Sequence, residues 1–215
     1  VNQQHPVSST HPAASESPII LASGSPRRKR LLELIGLPIE IVPSGIDERP
    51  KDGEGPSDFA LRAAREKALD VASRHHGRRV LGADTVVEID GVILGKPAGA
   101  KGAREMLRSL SGREHLVHTG VALVVADGVR ELVDTASVRF AALDDDIISW
   151  YVESGEPMDK AGAYAIQGIG GLLVVEIRGA PHTVVGLPIH RLPELFTAQG
   201  LEFWEVLSPE RREEI

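Results

Sequence analysis

The 215-residue chain contains no cysteine. That excludes disulfides, thiolate metal sites and cysteine nucleophiles together, and leaves a reducing compartment permitted. Aromatic residues make up only 4% of the chain, and no apolar run approaches the roughly 18 residues needed to span a bilayer. Excess positive charge is missing too. The formal net charge is -7, so a broad nucleic-acid surface is not expected and any anion site must be local. The start, VNQQHPVSSTHPAASESP, lacks both a basic n-region and an apolar h-region and holds no Arg or Lys. It reads as neither a secretory signal nor a transit peptide, but as a flexible tail over residues 1–17, with cytoplasm the expected location. There is no GxxxxGK[ST], no GxGxxG after a strand, no GxSxG and no HExxH. The eight histidines show no metal-ligand spacing, and His75-His76 reads as a dipole partner at a helix C-terminus.

What is present fits one globular domain over residues 18–207, followed by a short tail, 208–215. Strands are expected at 19–22, 39–43, 114–126, 129–142 and 172–177, with a possible terminal strand in EFWEVL at 202–207. Helices are expected from Ser25 to Ile35, from near Ser57, over 101–110, from Asp144 and over 188–198. The second of these carries an apolar stripe of Ala60, Leu61, Ala64, Ala68, Val71 and Ala72. Asp90-Gly91 and Asp127-Gly128 are hairpin signals, the first joining RVLGADTVVEID to VILGKP. Hairpins mixed with helical crossovers give an α/β class with a mixed sheet, neither a Rossmann repeat nor an all-β barrel.

Within that frame, LASGSPRRKRLLELIG places Arg27, Arg28, Lys29 and Arg30 at the entrance of a helix capped by Ser25, begun by Pro26 and closed by Gly36. Cations there are unfavourable against the helix dipole unless something negative docks nearby. With Ser23 and Ser25 beside them, Arg27 and Arg28 suit a phosphate, although a solvated basic helix face is the plainer alternative. Arg27 is expected to face the ligand, with Lys29 and Arg30 as plain surface. Three further clusters follow. Asp47 and Glu48 lie in a polar loop and on their own read as solvated. Asp84, in an otherwise apolar strand, needs a partner, a metal or a wet cleft, or else marks a strand end. Lys96 falls near Asp84 if Asp90-Gly91 closes as a two-residue turn, which sets Gly95 and Lys96 opposite 86 and 85. Lys67 on its own reads as a snorkelling surface lysine. Residues 155–168 gather Glu156, Asp159, Lys160 and Gln167 among small residues that admit a ligand or another backbone. Hydroxyls, cations and neighbouring carboxylates together suggest a phosphate ester beside a divalent cation, and oxygen-only ligands favour Mg²⁺ or Mn²⁺ over zinc.

Six ordered stretches, LASGSPRRKRLLELIG, SGIDE, LRAAREKA, LGADTVVEIDGVILGKP, LSGREHLVHTGVAL and GEPMDKAGAYAIQGIGG, resemble the motifs of the Maf family of septum-formation-associated nucleoside triphosphate pyrophosphatases. The resemblance covers residues 18 to 200 and departs only in the ends before 18 and beyond 207. It implies an elongated two-lobed α/β fold of the inosine triphosphate pyrophosphatase type with a central groove, hydrolysis of a nucleoside triphosphate to monophosphate and pyrophosphate, a divalent metal (Mg or Mn), and a homodimer. By the same resemblance Asp84 matches the general base, with Asp84 and Glu48 as metal ligands. Ser23, Ser25, Arg27, Arg28, Lys67 and Lys96 match phosphate-binding positions, and Arg27, Thr85 and Gln167 match positions linked to substrate choice. SPRR, ADT and IQG agree with the branch linked to dTTP and UTP rather than the one acting on 7-methyl-GTP, and no nucleic acid or membrane partner is implied. The alternatives are a nucleotide-binding regulator linked to cell division that does not hydrolyse its ligand, and a pyrophosphatase acting on 7-methyl-GTP or another modified nucleotide.

Overall fold

The computed structural model describes residues 17–197 and 202–208. The expected tails, 1–17 and 208–215, fall almost wholly outside them, as does the last residue of the helix expected over 188–198. Seven strands form one mixed sheet. β1 (Ile19–Leu21) lies parallel to both β2 (Ile39–Ile41) and β3 (Val80–Ile89), and β3, β5 (Glu114–Val125), β6 (Gly128–Phe140) and β7 (Val174–Arg178) continue it antiparallel. β4 (Val92–Leu94) folds back on β3, so the class is α/β with a mixed sheet flanked by helices.

Two features of β3 position everything that follows. Its inner edge pairs with β5 along its length, whereas its other edge is shared, with β1 at Val80 and Leu81 and β4 from Val87 to Ile89. Residues 83–86 therefore have a strand neighbour on one side only. The Asp90-Gly91 turn has φ of 52° and 79°, the doubly positive geometry of a two-residue hairpin, and sets Ile89 opposite Val92 as expected.

α1 (Pro26–Leu34) begins where the sequence places it, with Ser25 Oγ accepting from the Arg28 N–H at 3.4 Å and Gly36 at φ 72° closing it. α2 (Pro56–Ala72) crosses β3 and β5 unusually closely. A Cβ on Gly82 would collide with the Ala64 carbonyl, and one on Gly120 with the Ala60 carbonyl. Small residues on both partners allow this approach, which buries Phe59, Ala60, Ala63, Ala64, Lys67, Ala68 and Val71. Leu61 and Ala72, expected in the same stripe, are only partly buried, and His75-His76 lie in the turn beyond the helix.

One core surrounds α1 and the 187–196 segment, with Leu32, Leu81, Leu123, Leu187 and Phe196 fully buried. Another joins α3 (Gly99–Leu110) and α4 (Asp145–Glu153) to the far halves of β5 and β6 through Leu107, Leu110, Phe140 and Tyr151. Each such apolar side chain stabilises the fold by roughly 1.5–3 kcal/mol on burial.

Several expectations change. The second hairpin pairs Val125 with Gly128, so its loop is Ala126-Asp127, and Gly128 opens β6 at φ 144°. The 155–173 stretch forms three short 3-10 turns, which delays β7 to Val174. The helix expected over 188–198 is a 3-10 turn at Ile189–Arg191 followed by α6 (Leu192–Thr197). EFWEVL is a 3-10 turn, Phe203–Val206, and not a strand: Phe203 and Val206, three residues apart, pack together on the first core, with Phe203 edge-on to Phe196 at 5.2 Å. No helix among the described residues is long and apolar enough to cross a membrane.

Candidate active site

A cavity of about 720 Å³ opens beside the unpaired edge of β3. It brings together the N-terminus of α1, the 46–48 loop, β3, the start of the segment after β4 and residues 159–167. Every site residue expected from the sequence, from Ser23 and Ser25 to Gln167, lines it. It lies at the carboxyl end of β1, the place where open α/β sheets characteristically receive ligands.

At the α1 turn, Ser23 Oγ accepts from the Ser25 N–H at 3.2 Å and from Arg28 Nη1 at 2.9 Å, and Ser25 Oγ caps the helix. Both hydroxyls thus act as acceptors toward the protein, leaving their O–H bonds to donate elsewhere. Arg28 is buried, and three of its five N–H groups go to protein oxygens: one on Nε to the Gly186 carbonyl at 2.9 Å, one on Nη1 to Ser23 and one on Nη2 to Thr85 Oγ1 at 3.1 Å. Burial lowers its pKa and the nearby Asp84 charge opposes that shift. Arg27 differs. It is half-buried at the cavity and has no hydrogen bond or ion pair among the described residues. Lys29 pairs with Glu33 at the exposed surface and Arg30 is exposed, as the sequence suggests for plain surface.

Side chains alternate along β3, so Asp84 and Thr85 leave on opposite faces of the sheet. Asp84 points toward α2 and is 6% exposed. Lys67 is not a surface lysine: it is equally buried, because the Gly82 and Gly120 contacts bring α2 down onto the sheet. Its Nζ lies 2.6 Å from Asp84 Oδ1 and 2.8 Å from Glu48 Oε2. Glu48, read from sequence as a solvated loop carboxylate, is thereby tied into a carboxylate–ammonium–carboxylate group. Burial raises the Asp84 pKa above the ordinary carboxylate range despite the opposing charges of Lys67 and Arg28. For Glu48 burial acts in the same direction, but the hydrogen bond and charge of Lys67 outweigh it and the net shift is downward. Two carboxylates side by side thus titrate differently.

On the opposite face a chain of hydroxyls runs inward from Thr85. Thr119 Oγ1 donates to the Thr183 carbonyl at 2.8 Å, so in its 3.1 Å contact with Thr85 it must be the acceptor. Thr85 therefore donates to Thr119 and accepts from Arg28. Thr183, in α5 (Pro181–Val185), donates its own hydroxyl to Asp134. Thr119 and Thr183 are fully buried, and nothing in their sequence context distinguishes them from core threonines.

Lys96 lines the cavity, but the hairpin pairing stops at Val87 and Leu94, so Lys96 is not paired opposite Thr85 as the sequence suggests; it has no ion pair among the described residues. From the facing wall come Asp159, Lys160 and Gln167. Lys160 Nζ donates to Asp159 Oδ1 at 2.6 Å and to the Glu156 carbonyl at 2.7 Å. Asp159, held low by Lys160, also feels the charge of Arg27 across the opening. Reading from the sequence groups these residues but gives them no place, because only the turns of the 155–168 segment turn them inward. Phe59, Val86, Ile93, Val117 and Tyr164 supply an apolar portion of the cavity lining. Among the described residues no group of three or more His, Asp or Glu side chains could hold a metal ion unaided.

A family model described as Maf-like protein matches residues 18–199. The dTTP/UTP pyrophosphatase of Symbiobacterium thermophilum is 48% identical over 182 residues, covering 85% of this chain and 94% of its own. That of Nitratidesulfovibrio vulgaris is 46% identical over 194 residues, with 89% and 92% covered, and one from Anaeromyxobacter dehalogenans is 49% identical over 192, with 87% and 97% covered. The solved structure of the Staphylococcus aureus Ham1 protein overlaps in part, with a TM-score of 0.40 at 15% identity over 58% of this chain and 72% of that one.

Proposed function

We propose, on the premise that this chain belongs to the Maf family, that it hydrolyses dTTP and UTP to the nucleoside monophosphate and pyrophosphate. One observation carries the reading. A single cavity joins the N–H groups and free Arg27 of a helix N-terminus to a buried aspartate held by a lysine. The first is an anion site, and the second is a base shielded from water and raised in pKa.

In the mechanism we favour, the triphosphate lies along the α1 turn, contacted by the Ser23 and Ser25 hydroxyls, Arg27 and Lys96. Asp84 takes a proton from a water that attacks phosphorus, and the α–β anhydride bond breaks with its electron pair leaving on pyrophosphate. Unpaired Arg27 and Lys96 neutralise the charge that accumulates there. Arg28, with three of its five N–H groups bonded to protein oxygens, holds the turn and Thr85 in place. Lys67 keeps Glu48 ionised and fixes one oxygen of Asp84, so the base enters each turnover in one orientation.

A divalent cation fits this donor set. Asp84 Oδ1 and Glu48 Oε2 converge on Lys67 Nζ, so a divalent cation would be held by the other oxygen of each carboxylate, with phosphate oxygens and water completing its shell. When bound, such a cation would supply charge neutralisation on the phosphates. The test is pyrophosphate release from dTTP, UTP, CTP and 7-methyl-GTP with Mg²⁺ or Mn²⁺. Turnover of the first two above the others is expected. Tight nucleotide binding without pyrophosphate release would replace this reading with that of a non-hydrolytic sensor.

A further inference from the structure

Gln167 projects into the cavity from a stretch with no helix or strand to fix it. It is exposed, and its side-chain amide has no hydrogen bond among the described residues. Its usefulness to a ligand depends on what holds the backbone around it. That task falls to Tyr151 on α4 and to Glu156 at the start of the 3-10 turn that follows it. Tyr151, fully buried on α4, accepts from the Ala165 N–H at 3.4 Å and donates to Glu156 Oε1 at 2.9 Å. The Glu156 carboxylate then accepts from the Gly170 N–H at 2.9 Å and, through Oε2, from the Ile169 N–H at 3.1 Å. Three backbone donors, one before Gln167 and two after it, thus converge on one phenol–carboxylate pair. The fit is close. A Cβ on Gly168, which sits at φ 116°, would collide with Glu156, and one on Gly170 with the Tyr151 hydroxyl. Burial, reinforced by the Glu156 charge, raises the Tyr151 pKa, so the phenol stays a donor.

We infer that Tyr151 and Glu156 are positioning residues: their hydrogen-bonded pair clamps the 165–170 backbone and so sets where the Gln167 amide meets the substrate base. Neither side chain lines the cavity. Both act through Gln167. The inference rests on the proposal above that a pyrimidine nucleotide occupies this cavity.

The test compares Glu156→Gln, Tyr151→Phe, Gln167→Ala and Glu156→Gln combined with Gln167→Ala in the full chain. Glu156→Gln keeps the volume but turns an amide NH₂ toward backbone N–H donors. Loss of the clamp is expected to lower kcat/KM for dTTP by about tenfold through KM, with kcat changed by less than about threefold, and to shrink the preference for dTTP over CTP. In the Gln167→Ala background the same change should add less than about twofold, since both act on one contact. A generally loosened fold would instead lower kcat for every substrate. Unchanged dTTP/CTP preference in Glu156→Gln, or independent addition of the two effects, overturns the clamp. Should Glu156→Gln fail to fold, Tyr151→Phe carries the same comparison with a smaller shift in the same direction. Binding of non-hydrolysable dTTP and CTP analogues by calorimetry gives a parallel readout. Absence of hydrolysis by the unaltered protein would sink the enzymatic reading, while the clamp would still stand or fall on analogue selectivity.

Discussion

Asp84 and Thr85 are neighbours in the chain and opposites in the fold. The Asp84 face of β3 carries charge. There a lysine lowered from α2 joins two carboxylates, and the packing is close enough that Gly82 and Gly120 cannot bear a side chain. The Thr85 face carries hydroxyls, in a one-way chain of donors that ends at Asp134 and holds the guanidinium of Arg28 at its outer end. One face has ionisable groups available to a substrate, and the other has its polar atoms satisfied internally. Chemistry is expected from the first and placement from the second.

The largest effect should follow from Asp84→Asn. Removing the base is expected to lower kcat by about 10²–10⁴-fold, while Lys67 keeps Glu48 as its partner and the fold survives. Near-normal turnover with an unchanged circular dichroism spectrum would remove Asp84 from the mechanism. The kcat/KM of the unaltered protein should also fall on the acid side, because the base must be ionised to act.

Lys67→Met tests whether the charged face is also structural. Leaving buried Asp84 without its ammonium should cost about 3–5 kcal/mol in urea unfolding, with half-exposed Glu48 adding little, and activity should vanish with it. Lys96→Met, at a cation without an ion pair, should raise KM for dTTP while stability stays within about 0.5 kcal/mol of the parent. Equal destabilisation by the two would mean that the network around Lys67 is not special.

On packing, Gly120→Ala should destabilise by about 1–3 kcal/mol or more, since the new methyl group meets the α2 backbone and not a movable side chain. Thr119→Val probes the opposite face. It leaves the Thr85 hydroxyl and the Thr183 carbonyl without their partner and should cost about 1–3 kcal/mol, with activity reduced far less than in Asp84→Asn. A Thr119→Val enzyme as impaired as Asp84→Asn would break the division between chemistry and placement.

The smallest effect concerns acid stability. His115, buried against Phe140 and 2.8 Å from the Tyr164 hydroxyl, is held by burial at about 4 against an ordinary 6.5. The unfolded chain binds this proton below the ordinary value and the folded chain only near the depressed one. The stability from the neutral ring is therefore present above 6.5 and is lost as pH falls through 4. In His115→Phe the decline of urea-unfolding stability across that window should be shallower, and an identical slope would assign the acid sensitivity elsewhere.

Periodic elements and their punctuation were legible along the chain. The Ser25 cap, Pro26 start and Gly36 stop fix α1 through backbone constraints local to those residues, and Asp90-Gly91 sets the register of β4 against β3. The burial of Lys67 was not legible, because it depends on glycines on two strands far away in sequence allowing a helix to settle. The roles of Arg27 and Arg28 were ambiguous for a similar reason. Only the carbonyl of Gly186 and the hydroxyl of Thr85 distinguish the committed guanidinium from the free one. The 155–173 stretch lacks periodicity, so its sequence shows a cluster of functional residue types but not the Tyr151 and Glu156 contacts that shape it.

By itself the sequence determined most of the helices and strands, the α1 caps, the Asp90-Gly91 turn and the residue types present for an anion and a proton transfer, since those properties depend on neighbours a few positions apart. The tertiary structure alone decided which cations are paired and which are free, which carboxylate is raised in pKa, and how Gln167 is held. Each of those depends on burial and on partners brought from distant parts of the chain, and no local pattern encodes either.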